Sequence, residues 1–286
     1  MYDVFLRFPA TPNLPLAPDQ WNSQYQNQYS NILRLYFNQL SQLLQLLGNK
    51  TGGYHLGFPH GAFHQDGSTT LSTGITNVST TPITVASTAG FPSSGYILIG
   101  SELIQYTSKT ATTFAGTITR GVLGTTNVAH LAGVSITEAQ GTGSSTAIGV
   151  VLFNNTDYSS GIKASADYTK LVFSYPGIYN LQFSAQLLNF TTSEDNVTIW
   201  LRKNGVDVPA SAGIEQVNAK HGTSPGATIA AWNYFIDIAP DDYIQLVWST
   251  DTGNTVVATY PAGTSPTHPY SPGLIFTASF VSAQTD

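Results

Sequence analysis

"YPGIYNLQFSAQLL", residues Tyr175 to Leu188, places Tyr179, Leu181, Phe183, Ala185 and Leu187 at every second position. Side chains alternate across an extended chain with period two, so these five residues predict one buried face of a long strand. Downstream, "NVTIWLRKNGVDVP" reads as a hairpin turning at Asn204-Gly205, a dipeptide that accepts the positive φ angles of a tight turn. "DDYIQLVWS" and "LIFTASFVS" supply later strands, and no helical pattern interrupts them. Residues 140–286 therefore read as a β-sandwich.

Upstream the pattern is different. "ITVAST", "GYILIGSELIQYTS" and "TFAGTITRG" are short strand-like runs separated by Gly, Ser and Pro, as expected of a small antiparallel β-module over residues 69–139. Gly141 to Ser145 read as a link to the sandwich. Before the module, residues 49–68 form a Gly- and His-rich junction.

Residues 19–48 carry a helix signal. Asp19 is a candidate N-cap and Gly48 a candidate stop, with about 28 residues, roughly 42 Å of helix, between them. Tyr29, Leu33, Tyr36, Leu40, Leu43 and Leu47 step by 4, 3, 4, 3 and 4, a heptad seam that Ile32, Phe37 and Leu44 widen. Such a wide seam suits three strands better than two, and the other reading is a helix packed on its own domain. Residues 1–18 hold four prolines (Pro9, Pro12, Pro15 and Pro18), which forbid a helix interior or central strand. That peptide reads as extended, with Tyr2, Val4, Phe5, Leu6 and Phe8 available to grip a partner.

Composition narrows the function. The 286 residues are 9% charged, against about a quarter in typical soluble proteins, yet 41% are apolar, enough for a packed interior. The net charge of −6 and the lack of a Lys/Arg cluster argue against nucleic-acid binding. With no cysteine there is neither a disulfide nor a thiolate nucleophile or zinc ligand. No apolar run has the length of a signal peptide or approaches about 18 residues, so neither secretion by the usual signal nor membrane insertion is expected.

Several segments look familiar. Pro176, Gly177, Tyr179 and Phe183, the run "VTIWLRKNGVDVP", "WNYFIDIAPDDYIQLVWS" and the closing "LIFTASF" resemble the C1q/TNF-like jelly-roll heads of phage virion proteins. "ITVASTAGFPSSGYILIGSELIQYT" with "TRGVLGTTNVAHLAG" resembles a small β-module of phage structural proteins. "PLAPDQWNSQYQNQYSNILRLYFNQL" is similar to the amino-terminal segment of proteins that carry such heads. The resemblance implies a homotrimer on the virion surface, assembled in the host cytoplasm, with residues 1–18 anchored to other virion proteins. Two roles fit it: a head fibre or capsid decoration, or a tail fibre whose head recognises a host surface glycan or protein.

Catalytic readings are weaker. His55, His60 and His64, followed by Asp66, could supply zinc ligands. However, no helix or strand pattern orients them, and Tyr54, Phe58 and Phe63 suggest a packed junction, so no metal is expected. "GTSPG", Gly222 to Gly226, matches G-x-S-x-G, but Pro225 and a strand-like run follow Ser224 where a nucleophile elbow requires a helix. The pairs Glu194-Asp195 and Asp241-Asp242 lie at strand starts, where turn chemistry accounts for them. A hydrolase of surface polymers is thus the third reading, behind two non-enzymatic ones, and no cofactor is implied. Trp232, Tyr234, Trp248 and Tyr260 could stack on sugars, although strand alternation puts most of them in the core.

Overall fold

The computed structural model describes residues 9–48 and 57–283. The expected anchor side chains Tyr2, Val4, Phe5, Leu6 and Phe8, and also His55, lie outside the described residues. The chain is mainly β, with a single helix among the described residues, and it divides into two compact units between Phe58 and Pro59.

In the first unit, helix α1 spans Ser23–Gly48. Its cap is Asn22 and not Asp19: the Asn22 Oδ1 accepts the backbone N–H of Gln24 at 2.8 Å and of Tyr25 at 3.1 Å. The cap falls where a side-chain oxygen meets the free N–H groups of the first turn, and Asp19 lies too far upstream to reach them. No residue of α1 is buried. Its only positions of intermediate exposure are Tyr25, Ile32 and the six seam residues Tyr29, Leu33, Tyr36, Leu40, Leu43 and Leu47. Residues 9–18 have no regular structure, and Pro9, Pro12 and Pro15 are partly covered, at the three-residue period of a polyproline helix. The Tyr25 hydroxyl donates to the Pro15 carbonyl at 3.2 Å, tying that segment to the first turns of α1.

The second unit is built from antiparallel strands, of which the principal ones are β1 (His60–Gln65), β2 (Ser68–Thr70), β3 (Gly95–Ile99), β4 (Glu102–Tyr106), β5 (Ser135–Gly141), β6 (Asn155–Ser160), β7 (Ile162–Ala164), β8 (Leu171–Phe173), β9 (Gly177–Asn189), β10 (Asp195–Lys203), β11 (Gly213–Val217), β12 (Gly226–Ile238), β13 (Tyr243–Thr250), β14 (Thr255–Ala258) and β15 (Leu274–Ser282). One sheet runs β6-β1-β15-β9-β14-β5-β3-β4, with β12 on the other edge of β9 and β2 beside β5. The second runs β7-β8-β13-β10 with β11 beyond β10.

The quoted strand behaves as its alternation predicts. Tyr179, Leu181, Phe183, Ala185 and Leu187 are all buried, and β9 pairs with β12 from Gly177↔Ile238 to Asn189↔Gly226. Opposite them Val197, Ile199, Leu201 and Trp248 of the second sheet complete one core, joined by Phe63, Phe153 and Phe276. The hairpin also turns as expected: Asn204 and Gly205 have φ of 52° and 81°, the left-handed pair of a tight two-residue turn.

Two boundaries differ from expectation. The histidine segment contains a strand, β1, paired with both β6 and β15. It is covered on both faces through Gly61, Ala62 and Phe63, so it shows no alternation to be read. Gly141 ends β5 as a paired residue and is not part of a link: it lies opposite Val256 of β14. The 69–139 module therefore continues the first sheet, with Tyr96, Leu98, Leu188, Phe190, Val256 and Ala258 forming a core at the joint.

Candidate functional site

Three features collect the chemistry of this chain: the open stripe on α1, two buried glutamates in the module, and a cleft beside the joint. The stripe is long and neutral. Phe37 and Leu44, which widen it, are each about 60% exposed on a helix whose one charged residue is Arg34.

Glu102, on β4, is fully buried and fully paired. Its two oxygens accept Arg120 Nε at 2.6 Å and Nη2 at 2.7 Å, and Oε2 also accepts the Val128 N–H at 3.2 Å and meets His130 Nε2 at 2.8 Å. Arg120 spends its remaining donors on the carbonyls of Thr76, Ser79 and Val128. Burial pushes the Glu102 carboxyl up, but the hydrogen bonds from Arg120, Val128 and His130 and the Arg120 charge hold it below its ordinary value. This network ties two long loops of the module to β4.

Glu138, on β5, is equally buried without a cation against it. Its Oε1 accepts Gln65 Nε2 at 3.2 Å and its Oε2 accepts Asn154 Nδ2 at 3.0 Å. Burial and the nearby Asp66 carboxylate outweigh these amides and the more distant Lys109, and the carboxyl is pushed up to about 8. Lys109 is turned to the carbonyls of Thr88 and Phe91. Sequence reading passes over both glutamates. The available signal was a carboxylate within each of the strand-like runs "ILIGSELIQY" and "SITEAQ".

The residues singled out from sequence separate widely. His60 lies by Tyr158 with ring centroids 5.9 Å apart, and His64 Nδ1 is 3.6 Å from Asp157 Oδ1. Among the described residues no three His, Asp or Glu side chains converge as metal ligands. Ser224 sits in a turn closed by reciprocal backbone bonds with His221, and β12 begins at Gly226, so a strand occupies the place of the elbow's helix. Asp195 is buried and accepts Thr252 N, Thr255 N and Thr255 Oγ1. Asp242 takes Ala239 N, Asn204 Nδ2 and Lys203 Nζ. Both carboxylates hold turns. Trp248 is fully buried, Trp232 packs edge-on to Phe183, and the Tyr234 hydroxyl donates to the Ser211 carbonyl. Of the four aromatics, Tyr260 lines a cavity.

This cavity, the first chamber, adjoins a second, and Ser101 and Phe190 line both. The first, about 190 Å³, is walled by Leu98, Leu188, Phe190, Pro225, Tyr260 and Pro261, with Ser101, Ser135 and Thr137 adding hydroxyls. The second, about 290 Å³, is lined by Thr125, Thr126, Val128, Lys220 and Thr223. The walls come from six segments distant in sequence, which leaves no local motif. A position where module and sandwich strands meet is a common place for a ligand site.

No protein-family model matches the chain, and no curated protein matches it. No helix among the described residues is long and apolar enough to cross a membrane.

Proposed function

We propose that the chain is a non-enzymatic structural protein of a bacteriophage particle, a homotrimeric head fibre or capsid decoration that exposes jelly-roll heads for adhesion. The observation that carries this reading is the contrast between a β-unit with its own core and a 26-residue helix in which no residue is buried. An isolated helix is marginal in water, and a heptad stripe gains stability by packing against copies of itself. Partners are thus two further copies through α1 and other virion proteins through residues 1–18.

A jelly-roll head is supported by strand order. Strands β1-β15-β9-β12 and β7-β8-β13-β10-β11 share one core, with β6 on the outer edge of β1, and the chain passes between the two sheets from β8 to β9, β9 to β10, β11 to β12 and β12 to β13. Many copies on one particle would adhere through effective concentration, without a strong single site.

Gold-antibody labelling of intact particles tests the role. Label over the shell is the expected result, and label confined to the tail would replace decoration by receptor binding. Unlabelled particles would overturn the virion reading. Deleting residues 1–18 should leave the trimer intact and abolish incorporation, whereas incorporation of the truncated chain would refute the anchor.

A further inference from the structure

We propose that the two adjoining chambers that Ser101 and Phe190 both line bind a short acidic glycan, a neutral sugar ring in the first chamber and an acid-bearing sugar in the second. This goes beyond a structural role and holds wherever on a particle the chain sits.

The first chamber matches the amphipathic character of a sugar ring. Phe190, Tyr260 and the two prolines offer flat apolar surface to the ring's C–H face. Among the described residues the side-chain hydroxyls of Ser101, Ser135, Thr137 and Tyr260 have no hydrogen-bond partner in the protein, so each can donate to and accept from a ligand. A carboxylate or ammonium placed there would find no opposite charge on the wall, and an unpaired charge is costly to desolvate. The occupant of this chamber is therefore neutral.

The second chamber adds one cation. Lys220 Nζ donates to the Gly124 carbonyl at 3.0 Å, and its two other N–H groups remain for a ligand. Lys220 is the only charged residue on this lining, and the carboxylate behind Val128, Glu102, is already matched by Arg120 and His130. An acid group carried on a sugar would complete the Lys220 ammonium with a charge-assisted bond, and Thr126 and Thr223 supply hydroxyls beside it.

The walls are held in place before any ligand arrives, which lowers the ordering cost of binding. Buried Asn189 fixes the turn after Phe190: its Oδ1 accepts Thr191 N at 2.9 Å and Oγ1 at 2.8 Å, and its Nδ2 donates to Ser193 O at 2.8 Å. The Lys220 N–H donates to Thr191 O at 2.8 Å. Tyr260 is bridged to Ser271 by backbone bonds of 2.9 and 3.1 Å.

The test is saturation-transfer NMR on the full-length protein with sugars in matched pairs: glucose and glucuronic acid, galactose and galacturonic acid, cellobiose and cellobiouronic acid. At least one acidic disaccharide or sugar should bind, about tenfold more tightly than its neutral partner at low salt, the worth of one charge-assisted bond. Lys220→Gln should reduce that acid to the level of the neutral sugar, and Tyr260→Ala should abolish binding of both, with a retained native NMR spectrum showing that the variant, though less stable, is folded. Binding by none of the pairs, or binding that survives Tyr260→Ala, would overturn the proposal, as would a preference for acid untouched by Lys220→Gln. Oligomeric state enters none of these readouts, so their failure leaves the assembly reading standing.

Discussion

Helix α1 and the β-unit solve the same problem in opposite ways. Both are poor in charge and rich in apolar side chains. The β-unit closes its sheets over Trp248, Phe63 and Tyr179, and α1 buries none of its residues. A strand buries one face against a neighbouring sheet of its own unit, but α1 buries no residue within its unit, and we propose that copies of the chain supply the partner for its stripe. Stability of the β-unit should therefore be independent of protein concentration, and stability of α1 should depend on it.

The largest effect expected within the β-unit comes from breaking its buried ion pair. Arg120→Met would strand Glu102 without its bidentate partner, at a cost of about 3–5 kcal/mol. Urea unfolding of the β-unit should shift accordingly while the mass of the assembly stays the same. If the variant loses trimers as well, the two units are not energetically separate.

A second experiment separates the two glutamates by pH. Glu102, held below its ordinary value, contributes stability above about pH 4.5 that is lost as the solution is acidified through its lowered folded value. Glu138 acts in the opposite direction. Its unfolded form ionises near 4.5 and its folded form keeps the proton to about 8, so stability falls as pH rises across that window. The slope is about 1.4 kcal/mol per pH unit. Glu138→Gln should flatten it, and a slope that survives the substitution would assign the effect elsewhere, with Asp66, Lys109 and Tyr106 the neighbouring titratable groups.

The smallest effect belongs to the helix cap. Asn22→Ala should lower the melting of α1 by about 1 kcal/mol and leave the urea midpoint of the β-unit unchanged. Asp19→Ala should do nearly nothing, since the cap bonds come from Asn22.

Much of this architecture could be read from residues because local rules were obeyed. The alternation in β9 buries one face, the Asn204-Gly205 turn needs only its own dipeptide, and the α1 stripe follows a heptad. Reading failed where a long-range partner decides the outcome. Gly141 looks like a linker residue until β14 supplies its hydrogen bonds, and β1 hides its strand character by being covered on both faces. Asp19 was the more conspicuous cap in sequence, but only the geometry of the first turn selects Asn22. The cleft was invisible for a similar reason, since Ser101, Phe190, Lys220 and Tyr260 converge from separate strands and turns.

Light scattering on the full-length protein at micromolar concentration tests the central contrast most directly. The account predicts three times the 30.5 kDa chain mass, falling to one chain in the Leu33→Asp, Leu40→Asp double variant without change in the β-unit's urea midpoint. A monomer from the unsubstituted chain would contradict it.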